Sequence, residues 1–133
     1  MLIHPLFAYT TLIVALAVFL SHLLNFTLLK NASVLRYTIM LHGILIVLSI
    51  FAVLAGFSVS RVPLVQSKIP FLWGFPHKWN GVLLFLYTLT SFIFIWLKGK
   101  DIGRKGIVIS LLGLLLVLFQ LITGWMLRLV FFA

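Results

Sequence analysis

Residues 5–29 read PLFAYTTLIVALAVFLSHLLNFTLL, twenty-five positions without one Asp, Glu, Lys or Arg, closed by Lys30-Asn31. A helix needs about twenty predominantly apolar residues to cross the hydrocarbon core of a bilayer. A stretch this long and this apolar reads as a transmembrane span, with Pro5 in a first turn where its missing N–H costs nothing. It has no basic n-region and runs about twenty-five residues, longer than the apolar core of a signal peptide, so a retained span is expected instead of a removed signal.

Three more runs of the same kind follow, at about 34–57, 77–97 and 106–129. Ser33 is a natural cap for the second. The connections differ in kind. Residues 30–33 make a tight turn, and 98–105 (KGKDIGRK) a short basic one. Residues 58–76 form a long outer loop carrying Pro63, Pro70 and Pro76 with Phe71, Trp73 and Phe75, expected to lie at the interface and cover one end. The expected fold class is all-α, an integral membrane four-helix transmembrane bundle of up-down topology, forming a single membrane domain over 1–133.

Composition agrees. The chain is 64% hydrophobic and 8% charged, and Asp101 is its one acidic residue. Without cysteine there is no disulfide, thiolate metal site, c-type haem attachment or iron–sulfur cluster. A net charge of +9 does not mark a nucleic-acid partner here, because the ten basic residues border apolar runs and face the lipid bilayer. Lys30, Arg36, Lys98, Lys100, Arg104 and Lys105 fall on one side, against Arg61, Lys68, Lys78 and Arg128 on the other. By the positive-inside rule the first side is cytoplasmic, which puts both termini outside in a multi-pass protein of the cell (inner) membrane.

Ionisable side chains within spans are expensive and mark function by default. The spans hold four histidines and no carboxylate, a pattern that favours neutral imidazole ligands over a carboxylate proton relay. With span centres near Ala17, Ile46, Thr88 and Val117, His22 and His42 lie about 7 and 6 Å to the inner side, and His4 and His77 roughly 20 and 16 Å to the outer side. His4 and His22 are eighteen residues apart and share a helix face. Glycines fall at the same depths: Gly56, Gly81 and Gly124 outside, Gly43 and Gly113 inside. On the fourth span Gly106, Gly113, Gln120 and Gly124 line one face.

Two readings stand at this point. Each histidine can be a polar residue bonded across helices to a carbonyl or hydroxyl, with glycines that only let helices pack. Alternatively, a flat macrocycle with two axial imidazoles fits the same set, since haem b needs only axial ligands, an apolar slot and cations near its propionates. Lys78 and Arg128 could supply those cations at the outer end.

His4-Pro5-Leu6 opening one span, His42 early in the next, and His77-Lys78-Trp79-Asn80-Gly81 opening the third together resemble the transmembrane ascorbate-reducible b-type cytochromes and related small four-helix bacterial membrane proteins. The resemblance implies one or two b haems, with His4 and His77 ligating the outer iron from diagonal helices and His42 an inner one. Helix four lacks the histidine that this family sets opposite His42. His22 stands at the right depth, but on an adjacent helix. The implied function is an electron-transfer protein or oxidoreductase subunit, exchanging electrons with quinol or with a partner redox protein. A non-catalytic accessory subunit of a larger respiratory membrane complex is the alternative. A metal-handling transporter is disfavoured by the absence of Cys and the scarcity of Met.

Overall fold

The computed structural model describes residues 3–61 and 71–132. They form α1 (Ile3–Leu24), prolonged by a π-helical turn (Asn25–Leu29), then α2 (Ala32–Ser60). Next come α3 (Phe71–Lys98), prolonged by a 3₁₀ turn (Gly99–Ile102), and α4 (Arg104–Phe132). Among the described residues there is no strand, and four helices are long and apolar enough to cross a membrane: His4–Leu29, Ala32–Val59, Gly74–Ile102 and Arg104–Leu129.

Element boundaries depart from the sequence reading in three places. The cap of α2 is Asn31, not Ser33: its amide oxygen accepts from Ser33 N at 2.8 Å and Val34 N at 3.2 Å. Asparagine caps as well as serine does. The helix ahead of it ends in a wide turn closed by Lys30 in the left-handed region (φ 46°), whose N–H reaches Asn25 O at 2.7 Å. The third departure is larger. The expected loop ends at residue 70, and α3 takes in residues 71–76 with Pro76 inside it. Proline removes only one backbone bond near a helix start, and apolar residues at membrane depth keep their remaining backbone groups paired best as helix. The expected cover from residues 62–70 lies outside the described residues.

The helices form a ring. α1 packs against α2 and α4, and α3 packs against the same two, so α1 and α3 are diagonal. Neighbours run in opposite directions, as paired contacts show. Thr11 Oγ1 donates to Leu48 O while His22 meets His42, and Asn80 meets Gln120 while Tyr87 hydroxyl donates to Ile109 O. This is the up-down order.

Polarity is turned inward. Among the described residues eleven polar ones are buried against ten apolar ones, while large exposed apolar side chains run along all four helices. A soluble domain inverts that balance. Most buried hydroxyls need no distant partner, because they donate to the carbonyl four residues back, as Thr38, Ser49 and Ser110 do at 2.7 Å.

Close packing is set by rings lying on glycines. Phe19, fully buried on α1, lies flat on Gly113 of α4, where a Cβ would stand 2.5 Å from the ring. Phe26 lies on Gly106 in the same way, and Phe92 covers Gly43. The space these glycines open is filled by the chain's own phenyl rings. Gly113→Ala is therefore expected to destabilise the bundle by about 1–3 kcal/mol, the usual cost of overpacking. Pairing it with Phe19→Leu should recover part of that loss. Thermal unfolding in detergent measures both; a neutral Gly113→Ala would contradict the contact.

Candidate functional site

The four histidines gather in two places. At the outer end, His4 lies in the first turn of α1 with its ring against α2. A Cβ on Gly56 would stand 3.1 Å from its Cε1, and the backbone of Ala52 lies on the same side. The Nδ1 of His4 is buried with no hydrogen-bond partner.

His77 on α3 is held by α4. Its Nδ1 lies 2.9 Å from Thr123 Oγ1. The Thr123 hydroxyl donates to its own helix, towards Phe119 O at 3.0 Å or Gln120 O at 3.2 Å, so towards His77 it accepts. The ring proton of His77 thus sits on Nδ1, and Nε2 keeps its lone pair, 3.5 Å from the Gln120 amide nitrogen. Asn80 fixes that amide by donating to Gln120 Oε1 at 2.8 Å and also reaches Leu116 O at 3.2 Å.

Glycines accommodate this network. A Cβ on Gly124 would stand 3.0 Å from His77 Cε1. Gly81, expected beside a ligand ring, instead admits the Gln120 amide, whose nitrogen would lie 3.1 Å from a Cβ there. Lys78 places its ammonium 4.6 Å above the Phe57 ring, and Arg128 donates to the Tyr9 hydroxyl at 3.0 Å. Both cations therefore stand at the outer end, near the two histidines in sequence and in depth.

His4 and His77 project from diagonal helices, the arrangement in which a bundle builds a cofactor site in its core. They are close enough to interact electrostatically. An axial histidine ordinarily has its second ring nitrogen tied to an acceptor, which fixes the tautomer and the ring orientation. His77 has that form, with Thr123 as the acceptor. Each ring also faces a glycine on a neighbouring helix.

The inner pair is different. His22 and His42 are both fully buried, and His22 Nε2 lies 3.2 Å from His42 Nδ1. His42 Nε2 lies 2.9 Å from Thr88 O, a group that can only accept. His42 therefore carries its proton on Nε2 and accepts at Nδ1, so His22 donates from Nε2. The remaining His22 Nδ1 is a buried lone pair without a partner. His22 stacks on Phe26, and His42 meets Phe19 and Phe92 edge-on. Two imidazoles bonded to each other from adjacent helices, walled by phenyl rings, do not fit a second macrocycle between them.

Asn80 entered the sequence reading only as a member of the His-Lys-Trp-Asn-Gly motif, with no role of its own, and Thr123 did not enter it at all. Their spacing carried a signal: Asn80 is three residues after His77, and Thr123 three after Gln120, so each pair shares a helix face. Among the described residues no group of three or more His, Cys, Asp or Glu side chains converges. Comparison of the chain with protein-family models, with curated proteins and with solved structures finds no match.

The inner dyad generates a stability prediction. His22→Leu alone leaves His42 Nδ1 buried without a donor, which costs about 1–3 kcal/mol. The double variant His22→Leu/His42→Leu removes both partners, so its cost should fall below the sum of the single losses. Additive losses in unfolding from detergent would mean that the two rings do not interact.

Proposed function

We propose that the chain is a membrane-embedded b-type cytochrome in which His4 and His77 hold one haem b near the outer end of the bundle. The observation that carries this reading is the state of His77: its Nδ1 proton is committed to Thr123, its Nε2 lone pair points away from that bond, and His4 stands across the diagonal with its own unpartnered Nδ1. Support also comes from the resemblance of the His-Pro and His-Lys-Trp-Asn-Gly helix starts to the ascorbate-reducible b-type cytochromes.

Bound haem would supply a one-electron couple within the membrane. The chain's own residues would supply the rest. Thr123 holds the His77 ring in orientation and keeps the correct nitrogen free. Gln120 and Asn80 fix the α3–α4 contact behind it, and Gly56 and Gly124 allow the rings to sit close to their neighbours. Lys78 and Arg128 are the cations available to propionates. The apolar exterior excludes water and tunes the potential through a low dielectric. One site of this kind passes electrons between quinol and a partner redox protein or subunit, and does not by itself carry them across the bilayer.

A second reading, a non-catalytic accessory subunit of a larger membrane complex, is favoured by the inner dyad, where two histidines serve only to bond one helix to another. In either case the basic 30–36 and 98–105 segments face the cytoplasm of a cell-membrane protein, with both termini outside.

The discriminating experiment is a dithionite-reduced minus oxidised spectrum of the purified, haem-supplied chain. A six-coordinate b-type spectrum is expected, lost in His77→Leu and His4→Leu but retained in His22→Leu. An unchanged spectrum in His77→Leu removes it as a ligand, and no haem at all leaves the accessory-subunit reading. Orientation is checked separately: a cysteine replacing Asp101 should resist impermeant labelling from outside intact cells.

A further inference from the structure

The inner end of the bundle carries charge that the side chains there cannot neutralise, since six basic residues (Lys30, Arg36, Lys98, Lys100, Arg104 and Lys105) share that end with one acidic side chain, Asp101. Two of them, Arg104 and Lys105, border a shallow groove of about 390 Å³ whose other walls are Phe94, Val108 and Ile109. The groove lies between α3 and the first turns of α4. Its floor is held in place by the Tyr87 hydroxyl, which donates to the Ile109 carbonyl. Both basic side chains are exposed, as is Val108, so the groove opens on the surface that meets lipid.

We propose that this groove is a binding site for an anionic phospholipid, with the headgroup phosphate at Arg104 and Lys105 and one acyl chain lying along Phe94, Val108 and Ile109. The occupant follows from complementarity at both ends. Arg104 and Lys105 contribute apolar stems to a wholly apolar lining and are exposed at its rim, and their backbone N–H groups belong to a helix first turn, which lacks intrahelical acceptors. The body of the groove is apolar and only as large as a segment of chain. A zwitterionic lipid would satisfy the apolar part and leave the mouth's charge uncompensated. Free phosphate would satisfy the mouth and leave the groove unfilled. The site is independent of haem, and so is its test.

The test uses the full chain in detergent, titrated with phosphatidylglycerol or with phosphatidylcholine of the same acyl chains, and native mass spectrometry to read the bound fraction. A juxtamembrane basic residue is worth about 1 kcal/mol towards an anionic surface, so a preference of about ten- to thirty-fold for phosphatidylglycerol is expected. Arg104→Gln with Lys105→Gln should abolish the preference. Lys98→Gln with Lys100→Gln, which removes equal charge from the adjacent turn outside the groove, should preserve it. Val108→Trp should weaken retention of both lipids by filling the groove. Equal retention of the two lipids, or equal loss from both charge pairs, overturns the proposal. Displacement of phosphatidylglycerol by inorganic phosphate overturns it in favour of a simple anion site.

Discussion

In hydrocarbon every polar group must find its partner inside the protein, and the rest of this structure depends on that constraint. The backbone meets it by running almost wholly as helix. Most buried serines and threonines meet it locally, by donating to the carbonyl of the preceding turn, while Thr11 reaches Leu48 O on the next helix and the Thr88 hydroxyl stays unpartnered. Side chains that cannot reach their own helix have to be brought together from two. Among the described residues the Asn80–Gln120–His77–Thr123 set and the His22–His42–Thr88 set do this with several groups at once. The first joins α3 to α4, and the second joins α1, α2 and α3.

Each end leaves one histidine ring nitrogen without a partner, His22 Nδ1 at the inner and His4 Nδ1 at the outer, and the Thr88 hydroxyl of the inner set is unpartnered as well. What differs is the geometry: the inner rings bond to each other from adjacent helices, while the outer ones stand on diagonal helices. In the outer set, the His77 proton is tied down while its lone pair meets only a distant amide, and His4 keeps a buried nitrogen unpaired. A buried acceptor without a donor is costly unless something else uses it. A metal at the centre of a flat ligand is what two such imidazoles on diagonal helices would serve.

Much of the fold was legible in the residues. Apolar runs of twenty-odd residues announce membrane-length helices, short polar turns force neighbours to be antiparallel, and a rise of 1.5 Å per residue sorts the histidines by depth. What periodicity could not supply was the contents of the spaces. Glycines at the depth of His42 are equally consistent with a macrocycle and with a phenyl ring, and Phe19, Phe92 and Phe26 fill them. The start of α3 was hidden by Pro76, whose effect on a helix depends on how near the end it falls. Thr123, and the role of Asn80 within its motif, were invisible because small polar residues are common in spans, and only the neighbouring helix shows which of them matter.

The proposed cytochrome holds one macrocycle per chain, at the outer histidines, beside an inner pair whose rings bond to each other. Haem stoichiometry tests this most directly. The purified chain, saturated with haem and freed of excess, should hold one haem per polypeptide by pyridine haemochrome assay. Two per chain would mean that the His22–His42 bond opens to form a second site. None would remove the cytochrome from the account.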